Sequence, residues 1–384
     1  MSGQETSYFK ERMPSLSLHL IIVFLACLAA AIGVKENKRK KKSTMTLNAG
    51  YIVSFVLVAL FLASRVYLGR DWDNYYRIYT SVNQQEFSFG ESREIGFLLL
   101  IRLLNLFGLE FHAFIEITSV ITVLLFFRAF KKMYGLLPLA IIFFFLCWGY
   151  TVVINTIRQG IAILCFLNAL MYVDDSSKRA FLKYLCFIVF GALFHYSIFV
   201  FLPFYWIEKI DIKPVYLFTG CIGISVFCFF FLMDIYADIL LLIPKYTSYI
   251  GDDHVFADNS TFGLGAILLL VLRVTPLVFY YNISRKYPQA RKYFILYAIG
   301  ISIYYSFYKF LLITRFTFYL QFCELFVFPL FVIWCWKRKG GFGKIASFGY
   351  VSLTIFNFVY LFRDFLGDQL VRNDFSIMFI NFSF

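Results

Sequence analysis

Arg158, His195 and Arg315 stand in three separate apolar stretches of the chain. Each is a residue type that acts on anions or hydroxyl groups. A guanidinium matches phosphate bidentately. A histidine takes a proton from an attacking hydroxyl. Asp71 is the alternative proton acceptor, in Gly69-Arg70-Asp71-Trp72-Asp73-Asn74-Tyr75-Tyr76, with Arg77 and Tyr79 close behind. Tyrosine and tryptophan faces fit sugar rings, so Tyr75, Tyr76 and Tyr319 join Asp73 and Gln159 as residues that contact a sugar or line a cavity. Arg273 and Glu324 lie deeper, roughly 14–16 Å from the external ends of their stretches at 1.5 Å per residue. Charges at that depth rarely stand alone, so the two are expected to pair, either tying two helices or flooring a cavity.

Each residue also has a plainer reading. An arginine at a helix end snorkels to headgroups. Tyrosine and tryptophan collect in interfacial belts. A lone histidine is often a hydrogen-bonded structural group, and paired acids are often a solvated loop. The combination at one end of several stretches favours a site. Metal and nucleotide chemistry have no such signature. The four histidines are scattered, with no HExxH or His/Cys spacing, and neither GxxxxGK nor GxSxG occurs. No cofactor or metal is expected, although Asp71 and Asp73 offer weak cation ligands.

The elements that position these residues are set by composition. The chain is 61% hydrophobic and 15% charged, with a mean hydropathy of +0.74, too apolar for a polar surface to cover. Apolar runs of about 17–23 residues recur, and about 20 suffice to span the hydrocarbon. Runs such as 140–148 are continuous rather than alternating, which excludes a barrel. Backbone groups must then be satisfied inside helices. The net charge of +13 lies in short clusters between apolar runs, the positive-inside pattern, so no nucleic-acid partner is expected. The eight cysteines all fall in apolar runs and read as small core residues. The first run, 19–34, lacks a cleavage pattern and reads as a retained helix.

Loop charge orders the topology. The basic block Lys35–Lys42 makes loop 35–46 cytoplasmic. A span at 47–64 crosses outward, and residues 65–93 form an external loop. Residues 94–107 are too short to span and read as interfacial or re-entrant. Spans follow at 111–130, 136–150 and 158–173, the last two joined by an external link at 151–157. The run 184–207 must break, and His195-Tyr196-Ser197 is its polar interruption, at the external side. Later spans are 214–233, 262–282, 293–313, 315–336 and 345–362, with an acidic external loop at 234–260. Arg158 and Arg315 then each begin a span from outside. The expectation is a single all-α membrane domain over 1–384, polytopic, with roughly 10–12 transmembrane helices including broken or re-entrant ones.

At these residues the chain resembles the EpsG family of bacterial polysaccharide polymerases, relatives in role of Wzy. The shared marks, in order, are the Gly69-x-Asp71 loop with Tyr75, Tyr76 and Tyr79; Glu94-x-Gly96-Phe97; Arg158-Gln159; Phe194-His195-Tyr196-Ser197; and Arg315 with Tyr319. The family's arginine-rich approach to the loop is represented by Arg65 and Arg70. The resemblance implies a multi-pass protein of the bacterial cytoplasmic membrane, similar to GT-C membrane glycosyltransferases. It would join polyprenyl-diphosphate-linked oligosaccharide repeats at the outer face for exopolysaccharide, capsule or O-antigen, alongside a flippase and a chain-length regulator. Arg158 and Arg315 would neutralise the departing diphosphate, and His195 or Asp71 would accept the hydroxyl proton. Two rivals share the features: a flippase for lipid-linked oligosaccharide, and another outer-face transferase such as a ligase or acyltransferase.

Cysteines placed at 71, 158, 195 and 315 are therefore expected to react with an impermeant thiol reagent from the same, outer side. Any two reacting from opposite sides would dissolve the site.

Overall fold

The computed structural model describes residues 2–65, 71–82, 94–147, 149–175, 177–209, 212–231, 264–307 and 311–371. Expectations for Gly69, Arg70, residues 83–93 and the acidic stretch 234–260 fall outside these residues. The chain is 84% helical, with no strand among the described residues, and is an all-α polytopic membrane protein. It divides into two compact units, residues 1–202 with 362–384, and residues 203–361.

In the first unit, α1 (Ser2–Arg39) pairs with α2 (Ala49–Ala63). Basic residues Lys38 and Arg39 occupy the last turn of α1, where its dipole favours cations. Asn48 caps α2 by accepting from the Tyr51 amide at 3.0 Å, and its side-chain amide donates to the Gly33 carbonyl of α1. Helix α3 (Trp72–Ser81) follows, then α4 (Ile95–Leu106) and α5 (Phe111–Ala129). Helices α6 (Leu137–Leu146) and α7 (Gly149–Asn155) are bent by 64° against each other, with a 3-10 turn at Tyr134–Leu136 before them. Then come α8 (Ile157–Ala169), α9 (Ala180–Ala192) and a 3-10 helix, Tyr196–Lys209, that runs past the end of this unit.

Helix α8 is the core of this unit. Every residue except Arg158 is buried, because α5, α7 and α9 all pack on it. Its buried Asn168 donates to the Leu125 carbonyl of α5 and accepts from the Arg128 guanidinium, both at 2.8 Å. A polar group is thus satisfied across the α5–α8 interface, as burial requires.

The second unit holds α10 (Pro214–Phe231), α11 (Leu264–Val278), α12 (Tyr280–Lys286), α13 (Arg291–Ser306), α14 (Leu311–Gln321), α15 (Glu324–Trp336) and α16 (Gly341–Val371), the last extending into residues of the first. Helix α13 is central, packing on α10, α14 and α15. Tyr293 stacks on Phe326 with centroids 4.0 Å apart.

Several expected spans differ in form. Among the described residues, two helices are each long and apolar enough to cross a membrane, Leu20–Arg39 within α1 and α5, and counting each of the bent pairs α6–α7 and α14–α15 as one span raises the number to four. The other apolar helices have 10–17 residues, shorter than the hydrocarbon is thick. The expected external link 151–157 is largely helical, as α7, and the chain turns only at Thr156. The loop expected at 65–93 contains α3, whose buried Trp72, Tyr75, Ile78 and Tyr79 follow helical spacing. These side chains reach an apolar surface on α4 and α5: Trp72 meets Phe111 at 5.2 Å and Tyr75 meets Phe97 at 6.0 Å. Arg315 lies on α14, near the start of the bent α14–α15 pair, and Glu324 starts a new helix beyond the 41° bend.

Asn168→Ala is expected to destabilise the protein by about 1–3 kcal/mol, because it removes the buried hydrogen bonds of Asn168 to the Leu125 carbonyl and the Arg128 guanidinium. Thermal unfolding in detergent reads this out; an unchanged midpoint would show that the α5–α8 bridge carries no stability.

Candidate active site around Glu94

The first unit brings two of the three opening residues together through a third that sequence reasoning passed over. Glu94 is 4% exposed and sits immediately before α4. One carboxylate oxygen accepts from an Arg158 guanidinium nitrogen, and the other lies 2.7 Å from His195 Nδ1. Burial alone would push the Glu94 carboxyl up. The His195 hydrogen bond and the Arg158 charge outweigh burial and hold it below the usual carboxylate range. An ionised carboxylate only accepts, so His195 Nδ1 donates to Glu94, and in that tautomer the ring's basic lone pair lies on Nε2.

The Glu94-x-Gly96-Phe97 sequence builds this contact. A Cβ at Gly96 would lie 2.5 Å from Leu193 Cβ and 2.8 Å from its carbonyl oxygen. Only glycine lets the start of α4 lie against the chain just before His195, where the Phe97 amide donates to the Leu193 carbonyl at 3.1 Å. The Phe97 ring lies under the Arg158 guanidinium, 5.2 Å from its centroid. Arg158 is the second residue of α8, and its guanidinium interacts electrostatically with the buried Tyr75 hydroxyl of α3. Helix α9 ends after Ala192, and His195 occupies the break before the 3-10 helix, with its amide on the Gly191 carbonyl at 2.9 Å. The interruption expected at His195-Tyr196-Ser197 is thus a break between two helical segments.

The remaining candidates are dispersed. Asp71 precedes α3 and lies within electrostatic reach of the buried Tyr75. Asp73 and Tyr76 are exposed on α3 and turn away from the buried Tyr75 face. Gln159 is buried beside Arg158. Arg315, Tyr319, Arg273 and Glu324 belong to the second unit. On α14, Arg315 is exposed while Tyr319 is fully buried.

The expected direct pair of Arg273 with Glu324 is not formed. The two interact electrostatically, but no ion pair joins them, and Arg273 Nη1 and Glu324 Oε2 are both buried without a hydrogen-bond partner. Arg273 is instead flanked by Tyr304 and Tyr305, at 5.1 and 6.0 Å from the ring centroids. Cation–π contact with these two rings takes the place of the carboxylate. Tyr305 also lines an apolar cavity of about 370 Å³ with Phe218, Cys221, Ser225, Val274 and Ile301.

The Glu94 cluster can perform two tasks side by side. His195 Nε2, held in one tautomer, can accept a proton, and Arg158 can neutralise an anion. Glu94 fixes the distance between them. The signal for Glu94 lay in the sequence: an acidic residue abutting an apolar helix is buried, and burial demands cationic partners.

A model of the EpsG family matches residues 48–376. No curated protein and no solved structure matches the chain.

The folded-state pKa of Glu94 lies below its unfolded value. Its contribution to stability is therefore complete above the unfolded pKa and is lost as pH falls through the folded one. The difference in thermal midpoint between wild type and Glu94→Gln is expected to shrink as pH falls from neutral to below about 4. A difference that stays constant over that range would refute an ionised, paired Glu94.

Proposed function

Since the chain belongs to the EpsG family of Wzy-like polysaccharide polymerases, we propose that it lengthens a glycan by joining oligosaccharide repeats carried on polyprenyl diphosphate, at the outer face of the bacterial cytoplasmic membrane. The observation that carries this reading is the single carboxylate, Glu94, that holds a proton acceptor and a guanidinium together.

In this reading an acceptor sugar hydroxyl attacks the anomeric carbon of the donor. The new glycosidic C–O bond forms as the C–O bond to the diphosphate breaks. The hydroxyl proton passes to His195 Nε2 and later leaves to water. Glu94 stabilises the imidazolium that forms, as a carboxylate does behind a catalytic histidine. The prenyl diphosphate departs as an anion, and Arg158 offsets its growing charge, the type of preorganised electrostatics that usually contributes most. Asp71 lies within electrostatic reach of Tyr75 and is the alternative acceptor of that proton. The lipid-linked donor suits a chain of this hydropathy, because its tail stays in the bilayer while the diphosphate lies at headgroup depth.

The protein in liposomes, supplied with lipid-linked repeat units, separates this reading from its rivals: a polymerase yields a glycan ladder, whereas a flippase moves lipid without forming bonds. His195→Ala is expected to slow ladder formation about 10²–10⁴-fold, the usual worth of a general base, while binding of the lipid-linked substrate is kept. Arg158→Ala is expected to abolish long polymer while the protein remains in the membrane. Near-normal long-chain product from either variant would overturn the assignment.

A further inference from the structure

At the opposite end of α9 from His195, cations gather around one tyrosine. Tyr172 closes the 3-10 turn Leu170–Tyr172 that follows α8. Lys132 Nζ lies 5.7 Å from its ring centroid and Lys183 Nζ 5.5 Å. The Arg128 guanidinium donates to its hydroxyl at 2.9 Å. These cations come from the end of α5, the turn after it and the first turn of α9, so only packing unites them. Lys131, Lys178 and Arg179 stand exposed in the same two connections. The basic loop after α1 joins them there. The Met45 amide donates to the Lys131 carbonyl at 2.8 Å, and the Tyr134 hydroxyl donates to the Lys42 carbonyl at 3.0 Å. The cations outnumber the acids of these connections, Asp174 and Asp175, of which Asp175 lies 3.6 Å from Lys183. Like charges gathered so closely favour an anion from outside.

The two lysines are placed to receive one. Both are exposed. An ammonium has three donors, and Lys132 uses one on the Met171 carbonyl at 2.5 Å, which fixes it beside Tyr172. Beyond Lys183 the outer side of α9 is apolar and uncovered. Leu182, Cys186, Val189, Phe190 and Leu193 are all exposed, and their spacing is that of one helical face. The stripe runs from the cations toward His195. In a membrane protein such a stripe meets hydrocarbon, and cations at its foot meet the headgroup layer.

We propose that this end of the first unit holds an anionic phospholipid. Its phosphodiester sits between Lys132 and Lys183 beside Tyr172, and an acyl chain lies along the α9 stripe. A free phosphate would use the lysines and leave the stripe bare, whereas an amphiphile uses both. Arg128 is a positioning residue: it holds the Tyr172 hydroxyl and lies 4.3 Å from the Phe187 ring centroid, which fastens the turn to α9. The site lies roughly 18 Å along α9 from His195 at 1.5 Å per residue. It is separate from the Glu94 cluster and does not depend on the polymerase reading.

The test uses the full-length protein in detergent, with native mass spectrometry to count bound lipid. Phosphatidylglycerol and phosphatidylcholine with the same acyl chains are the probes. Wild type is expected to retain phosphatidylglycerol saturably and more tightly than phosphatidylcholine. Lys132→Gln combined with Lys183→Gln should weaken it about tenfold or more, since each basic side chain near an anionic headgroup contributes roughly fivefold in affinity. Each single variant should fall between, and the singles carry the test if the double variant is not recovered folded. Lys337→Gln combined with Lys339→Gln removes the same charge from exposed positions of the second unit and should leave binding as in wild type. Phosphatidylglycerol bound no more tightly than phosphatidylcholine overturns the proposal. So does wild-type affinity in the Lys132 and Lys183 variants, or equal weakening by the two double variants, the mark of diffuse charge. Glycerol phosphate, the headgroup without chains, should compete far more weakly; competition as strong as that of the lipid would show a phosphate site and overturn the lipid assignment.

Discussion

A buried carboxylate with two positively polarised partners sets the geometry of everything around it. Glu94 is separated in sequence from Arg158 by 64 residues and from His195 by 101, yet its two oxygens bring them within a few ångströms of each other. Removing a carboxylate from water is expensive, and only close, well-oriented donors offset the cost. That requirement explains features that otherwise look unrelated: a glycine where α4 abuts Leu193, an aromatic ring beneath the guanidinium, and a helix that stops at Ala192 so that the next polar side chain turns toward α4.

The buried arginines of this chain fall into different classes once their partners are known. Arg128 is satisfied by Asn168, Tyr172 and the face of Phe187, and so ties α5 to α8 and to the turn after it. Arg158 is held by Glu94, Tyr75 and Phe97 while retaining partial exposure. Arg273 is enclosed by tyrosines with a nitrogen left unpartnered, and Arg65 is buried with its Nε open. The first is a structural tie. The second combines support with access, which a group acting on substrate needs. The last two hold unspent hydrogen-bonding capacity in surroundings where that capacity is costly.

Periodicity made some of this architecture legible and hid other parts. The spacing of Trp72, Tyr75, Ile78, Tyr79 and Val82 is that of an amphipathic helix, but the polar residues between them and the loop-like flanks make the stretch read as a solvated connection. The break at His195 was visible because three consecutive polar residues interrupt an apolar run. The break after Gln321 was not, because Phe322 and Cys323 are apolar and nothing in their chemistry marks a bend. Arg315 therefore seemed to open one straight helix, whereas it lies near the start of a bent pair. Arg273 and Glu324 were matched by sign and depth, yet neighbouring tyrosines took the place of a direct ion pair.

By itself the sequence determined the class of molecule and the inventory of chemistry: an apolar, helical, multi-pass chain with arginine, histidine, carboxylate and tyrosine at the ends of its apolar segments. Those conclusions follow from composition and local spacing, which act over a few residues. Only the tertiary structure decided which of those groups meet. It joined His195 to Arg158 through Glu94, left Arg65 buried with its Nε open, and assigned Arg315 to the other unit. Contacts between residues dozens to a hundred positions apart depend on which helix faces pack together. That packing is settled by shape and by the need to satisfy every buried charge, neither of which a linear pattern records.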